Sequence, residues 1–521
     1  MKVNPYVKQV KQTLPRILAM FDVDQTNKSY GLGDRYYWAW GLIDFSNGTY
    51  QGATHGLARL WKCGLWPYKT SKEKFIQRID AIFEGSGRLT RKNGSLEESF
   101  PNEGSFCVTA LVAFDLVCTL ELLKKEIDTE TFERWQHIVR PMISYLMVNN
   151  ETHAIISNHL ATAAAALVRW HRLTQKPDVE IRARQLIEDI LKHQSSEGWF
   201  KEYDGADPGY QSLCTYYLSD IHIIRTDWNL LEPLRKSIQF LWHFAHPDGS
   251  FGGLYGSRCT RFYYPAGLEA LAFDIPEAAS LAHFMAQSIT QNSVVTLNTM
   301  DDSNLIPMFN NYCCAAALWN NTQDEKKLLT LPALSSVSKQ KQYKSAGLFI
   351  DSGHHHYTII ATNRGGVIYH FVEGKLVLRD AGVVVRDSRG RLGSTQGYNQ
   401  DVCPVIEENS ISIHAPIFSM PKRLPHPTQF IVLRLLCISL FRFSWTREWV
   451  KRLLVSLLIT GTKPWPVFNR REIYLGQTLS IKDKLDLTSG YKVIKTLHEF
   501  VPIHMASQGY WQIHDEEEPR I

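Results

Sequence analysis

Asn158 and His159 open an apolar run, ISNHLATAAAALVRW, and Tyr210 opens another, DPGYQSLCTYYL, 51 residues after His159. An amide, an imidazole and a phenol are the groups needed to remove a proton from carbon beside a carboxylate. Such a proton is very weakly acidic while the carboxylate keeps its charge. A site must therefore neutralise or hydrogen-bond that carboxylate and so stabilise the enolate-like intermediate. Asn158 can donate from its amide. His159 titrates near neutrality and is a candidate base. Tyr210 is a candidate base or acid; as a base, its ordinary pKa of about 10 must be lowered by cations. Arg258 and Arg261, in GSRCTRFYY, are candidates for those cations, with Tyr263 and Tyr264 beside them. Each residue also has an ordinary reading. Asn158 after Ser157 reads as a helix N-cap, His159 as a hydrogen-bonded helix residue, and Tyr210 as core.

The elements that must position these groups repeat. NGSLEESFPNEGSF, EGWFKEYDGADPGY and DGSFGGLYGSRCTRF each start with an Asn, Glu or Asp followed by Gly and end at the head of an apolar run. Gly94 to Phe106 and Gly198 to Tyr210 are both 12 residues, and Phe106 to Tyr210 is 104, twice 52. A 52-residue period gives Thr54, Phe106, Asn158, Tyr210, Phe262 and Cys314, each read as at or near a helix start. Six units, each long enough for two helices, predict an (α/α)6 toroid over residues 1–335. The six positions are then expected on one rim, at inner-helix N-termini, where free N–H groups favour an anion. His55 and Glu103 fall on adjacent rim segments and are candidate substrate contacts.

After about residue 340 the texture changes to short β-branched, partly alternating segments such as HHYTIIAT, GVIYHFVE and EIYLGQTLSIKDKL. These predict an antiparallel β-sandwich over 336–521. An apolar insert at about 427–461 interrupts it, with Arg434, Arg442, Arg447, Lys451 and Arg452 spaced through it. It reads as a helical hairpin packed on the sandwich, with an interfacial membrane helix as the alternative.

Bulk composition narrows the classes. The chain has 521 residues, 44% apolar and 21% charged, which is globular, and a net charge of +5. That charge is too mild to argue for nucleic acid, and no RRM, KH or zinc-finger pattern occurs. Nine cysteines without regular spacing predict a reduced compartment. The N-terminal residues read as an amphipathic helix and not a signal peptide. A cytoplasmic location is the expectation, with peripheral contact to a membrane through 427–461 as an option.

A helical toroid with Asn-His and Tyr on its inner rim, followed by a β-sandwich, resembles the heparinase II/III-like family. The resemblance rests on SNHLATA, DPGYQS and the sandwich segment VFNRREIYLGQTLSIKDKL. It implies a polysaccharide lyase that cleaves a uronic-acid-containing glycan by β-elimination: C5 loses its proton and the C4 oxygen leaves. It also implies a further catalytic or binding histidine near the start of the sandwich. GHHHYTI offers His354, His355 and His356 for that role, with His356 the choice. Under this reading Tyr263 and Tyr264 stack on sugar rings. The partner is an acidic polysaccharide or oligosaccharide, and no cofactor is expected. A divalent metal on His354 and His356 is the alternative, although no third ligand is evident.

Other activities stay open. A uronate C5-epimerase removes the same proton without expelling the C4 oxygen. An inverting glycoside hydrolase needs two carboxylic acids across the cleft, for which Glu103, Asp204, Asp207 and Asp248 are candidates. A non-catalytic glycan-binding protein of a polysaccharide assembly system is the third class.

Overall fold

The computed structural model describes residues 3–151, 154–319, 328–420, 424, 426–455, 464–487, 490–494, 499–502 and 508–511. The helices run in order as α1 (Pro5–Ala19), α2 (Arg35–Trp38), α3 (Thr54–Lys62), α4 (Lys72–Leu89), α5 (Phe106–Leu123) and α6 (Thr129–Val148). There follow α7 (Ser157–Thr174), α8 (Pro177–Lys192), α9 (Pro208–Ile224), α10 (Leu231–Leu241), α11 (Ala266–Leu271), α12 (Pro276–Gln291) and α13 (Asp302–Leu318). Helices α3, α5, α7, α9, α11 and α13 each pack on the next, and α13 packs back on α3, which closes an inner ring. Helices α4, α6, α8, α10 and α12 lie outside it, and α1 completes the outer layer against α12 and α13. This is the expected (α/α)6 toroid.

The two layers differ in sequence for a physical reason. Inner helices meet protein on every side, so α5 is apolar all round, and Asp115 is buried with it. Outer helices such as α4 bury one stripe, including Phe75, Ile79, Ile82 and Phe83, and show charge to solvent. Side chains cap the helix starts: Ser105 accepts from Val108 N at 3.2 Å, and Asp207 from Tyr210 N at 3.1 Å. The repeated connector glycines are also explained. Gly94 and Gly198 hold φ of +88° and +99°, and a Cβ on either would collide with the Pro141 or Lys236 carbonyl of the neighbouring outer helix.

The 52-residue period fails at its end. Thr54 and Phe106 start α3 and α5, while Asn158 and Tyr210 lie in the first turns of α7 and α9. Phe262 precedes α11 by four residues, and Cys314 lies deep inside α13 rather than on the rim. Helix α11 has only 6 residues, so the unit it opens is shorter than the others.

Among the described residues twelve strands follow. The first sheet is a meander of β1 (Lys339–Tyr343), β2 (Leu348–Ser352), β3 (His356–Ala361), β4 (Val367–Val372) and β5 (Lys375–Asp380). The second comprises β6 (Val384–Arg386), β7 (Leu392–Ser394), β8 (Val405–Glu407), β9 (Ser410–Ser419), β10 (Pro464–Tyr474), β11 (Ser480–Asp486) and β12 (Lys492–Ile494). Its order is β11-β10-β9-β7-β6-β12, with β8 also on β9, and every pairing in both sheets is antiparallel. Phe349, Ile360 and Ile368 of the first sheet bury against Ile411, Ile413 and Ile473 of the second. The opposite face of the first sheet, with Tyr357, Ile359, Tyr369 and Phe371, joins the core of the toroid.

Between β9 and β10 the chain makes an excursion through α14 (Pro427–Ile438) and α15 (Ser444–Val455). The expected helical pair is present but packs on the toroid, not on the sandwich. Phe441 meets Phe100 with ring centroids 5.6 Å apart, and Asn102 Nδ2 donates to Cys437 O at 2.8 Å. Residues 456–461 of the insert lie outside the described residues.

Candidate active site

The starts of α5, α7 and α9 converge on a cleft of about 330 Å³. Asn158, His159, Tyr210, Arg258, Tyr264 and Glu103 line it, with Cys107, Glu98, Glu151, Tyr203, Thr49 and Asn304. Three helix N-termini facing one cavity add positive potential to it.

Asn158 is not the cap of α7; that position is Ile156, and Asn158 sits in the first turn with its side chain buried. Its Nδ2 donates to Glu202 Oε2 at 2.7 Å. One amide hydrogen is used there and the other is left for a second acceptor. Burial pushes the Glu202 carboxyl up to about 7, against the pull of Arg258. Arg258 Nη1 lies 3.4 Å from Glu202 Oε1. The Arg258 guanidinium stands 4.4 Å from the Tyr203 ring centroid and 5.2 Å from that of Tyr210. Its Nε is buried with no protein acceptor among the described residues, an under-satisfied donor beside the cleft.

Asp207 builds this corner. As the cap of α9 it accepts from Tyr210 N, and its second oxygen accepts from Arg258 N at 3.0 Å. One carboxylate thus ties the phenol's helix to the arginine's loop. Tyr203 reaches the cleft from a left-handed backbone position, φ 55°, a conformation that costs a non-glycine residue free energy and recurs at functional sites.

His159 is held from two directions. Its Nδ1 is 2.8 Å from Glu151 Oε2, and Cys107 stands beside its ring. Burial opposes the charged ring, yet these partners raise its pKa well above the ordinary histidine value. Burial pushes the Cys107 thiol up and His159 pulls it down, so the two groups titrate as a pair beside the Glu151 carboxylate. Tyr210 is also pushed above its ordinary value by burial, while Arg258 and His159 pull it down.

Four expected contacts lie elsewhere. His55 does not line the cleft: a 3-10 turn over Gly48–Ala53 leads directly into α3, so Thr49 reaches the cleft and His55 is carried into the core. There its Nδ1 is 2.9 Å from Asp115 Oδ1 and its Nε2 3.6 Å from Cys314 Sγ. Burial lowers the His55 pKa and raises that of Asp115, which makes this a hydrogen bond between neutral groups. Tyr263 is fully buried against Phe251. Arg261 pairs with Glu499. His356 sits on the β3 face shared with Thr358 and Ile360, turned from the toroid, with Nε2 2.8 Å from Asp351 Oδ2. His354 and His355 are exposed. Among the described residues no group of three potential ligands gathers around these histidines.

The hydrolase carboxylates are also placed. Asp207 is spent on capping and on Thr260, and Asp204 and Asp248 are not in the cleft lining. Glu103 lines the cleft, but its Oε2 accepts from Glu98 N and Ser99 N.

Cys107, Glu151, Tyr203, Thr49 and Glu202 were not singled out by sequence reasoning. One signal existed: Cys107 lies one 52-residue period before His159, which places it beside His159 on the adjacent inner helix.

Residues 66–267 match the family model of the ulvan lyase N-terminal domain. Over that stretch the resemblance to heparinase-like polysaccharide lyases is borne out. Among solved structures, heparinase III aligns with a TM-score of 0.47 and 10% identity over 92% of this chain and 77% of that one. A Paenibacillus xanthan lyase aligns with a TM-score of 0.47 and 11% identity over 80% of this chain and 45% of that one, so this chain spans less than half its length. Cellobiose 2-epimerase from Bacillus thermoamylovorans B4167 aligns with a TM-score of 0.44 and 10% identity over 61% of this chain and 99% of that one. No curated protein sequence matches.

Proposed function

We propose that this protein is a polysaccharide lyase that cleaves a uronate-containing glycan by β-elimination. The observation that carries the reading is one cleft that gathers two cationic side chains, a buried amide and a phenol. The uronate carboxylate would lie against Arg258, the free amide hydrogen of Asn158 and the His159 imidazolium. Together these stabilise the negative charge that moves onto the carboxylate as C5 loses its proton.

His159 is reassigned from base to cation, because Cys107 and the Glu151 pairing favour its protonated form. Proton transfer then falls to Tyr210. Burial raises its pKa overall and Arg258 and His159 pull it back, so the reactive form is the minor, ionised fraction. The phenolate takes the C5 proton, the C5–H pair becomes the C4–C5 double bond, and the C4–O bond breaks. The departing oxygen takes the proton from Tyr210, which returns to phenolate.

A panel of uronate polymers, followed by absorbance of the unsaturated product, tests this. The wild type should generate absorbance on at least one polymer. Tyr210→Phe should lose about 100-fold or more, the scale of a lost acid–base group. Inversion at C5 without absorbance would instead assign a C5-epimerase, and unaffected turnover in Tyr210→Phe would remove the phenol from the mechanism.

A further inference from the structure

The insert between β9 and β10 presents a face that the fold does not use. Ile438 on α14 and Trp445 and Trp449 on α15 are 74%, 73% and 63% exposed. In a segment some 400 residues earlier in the chain, Trp40 and Leu42 are 88% and 93% exposed. The two segments are fastened together: Arg434 Nε lies 2.8 Å from Asp44 Oδ2, and its guanidinium stands 5.7 Å from the Phe45 ring centroid. Two sequence-remote segments joined through Arg434 thus both expose tryptophan and aliphatic side chains, and exposed apolar surface of this kind marks interaction sites.

Charge and length point to the occupant. Residues 427–461 carry five Arg and Lys against a single acid, Glu448, in a chain whose net charge is only +5; Arg447 is buried and Arg434 is paired with Asp44, while Arg452 is exposed. Arg35 adds an exposed cation at the start of the earlier segment. Helix α14 has 12 residues, about 18 Å at 1.5 Å per residue, well short of a hydrocarbon core of about 30 Å. Short helices with tryptophan and aliphatic side chains beside lysine and arginine lie in the membrane interface instead of crossing it.

We propose that α14, α15 and the 36–43 segment dock this protein onto the surface of an anionic lipid bilayer. The apolar side chains enter the headgroup boundary and the cations meet acidic lipids. The insert rests on Phe100 and Asn102, and the same connector carries Glu98 and Glu103 into the cleft. Docking therefore holds the rim of the cleft near the bilayer. The inference is independent of which reaction the cleft performs.

Co-sedimentation of the full chain with vesicles tests it. With phosphatidylcholine vesicles containing roughly a third phosphatidylglycerol, the protein should pellet, and added salt should weaken this. Vesicles of phosphatidylcholine alone should retain far less. The Trp445→Ser/Trp449→Ser and Trp40→Ser/Leu42→Ser pairs should each reduce binding by about tenfold or more, with unchanged thermal midpoints. Phe273→Ser, at an exposed residue beyond the opposite end of an inner helix, should pellet like the wild type. The proposal is overturned if the wild type stays in the supernatant or if both pairs pellet unchanged. It is also overturned if the lipid-free protein is a dimer that the same substitutions convert to monomer.

Discussion

Cys107 and Glu151 together decide which form of His159 the cleft contains. Burial alone would discharge the imidazole, and Cys107 together with the Glu151 carboxylate 2.8 Å away reverses that. If the imidazolium is the working form, activity is present below the His159 pKa and lost as pH rises through it. Glu151→Gln removes the opposing charge and leaves the burial. The alkaline limb of the rate profile should then move to lower pH, with a loss of roughly tenfold or more at neutral pH that is regained on acidification. A limb that stays in place in Glu151→Gln would show that His159 does not titrate in the reaction. Asn158, His159 and Tyr210 were legible because residue type and helix start coincide in the sequence. Glu151 was not, since it precedes α7 and meets His159 only once the chain has turned. His356 was misplaced for a different reason. Strand alternation shows that His354 and His356 share a face, but only the pairing of β3 with β2 and β4 shows that this face turns from the toroid.

Among the elements, the 52-residue period recovered the inner ring as far as α9 and then drifted. The cause is the brevity of α11, and nothing in the apolar pattern of 262–318 announces a shortened helix. The closing contact shows how the ring tolerates it. Tyr6 on α1 donates to Glu269 Oε1 on α11 at 2.5 Å, which ties the first helix to the shortest. Burial pushes the Glu269 carboxyl up to about 7 from an ordinary 4.5. A carboxyl raised in the folded state favours folding while protonated. That contribution is complete below about pH 4.5 and is lost as pH rises through about 7. Glu269→Gln keeps an oxygen for Tyr6 and carries no charge. Relative to wild type it should be neutral near pH 4.5 and more stable by roughly 2–3 kcal/mol at pH 8, measured as denaturation free energies at the two pH values. Equal stability differences at both would mean that Glu269 is not titrating in this range.

At the scale of the whole molecule, the change of texture near residue 340 marked where helices give way to strands but not how closely the two parts join. Tyr357 OH donates to His243 O at 2.7 Å, Leu254 N donates to Tyr369 OH at 3.3 Å, and Phe371 packs on the His246 ring. Arg364, in the turn after β3, donates to Ser257 O at 2.8 Å, one residue from the Arg258 that lines the cleft. Among the described residues the sandwich thus serves the site by bracing its arginine loop and lends it no histidine. Side chains that belong to one core should unfold together. Tyr369→Ala removes a buried ring and a hydrogen-bond acceptor at the junction, a loss of about 3–5 kcal/mol. The helical circular-dichroism signal and the amide exchange of β3 and β4 should then shift to lower denaturant by the same amount. If only the strands moved, the two parts would be independent folding units, and the cleft could not depend on Arg364 for its shape.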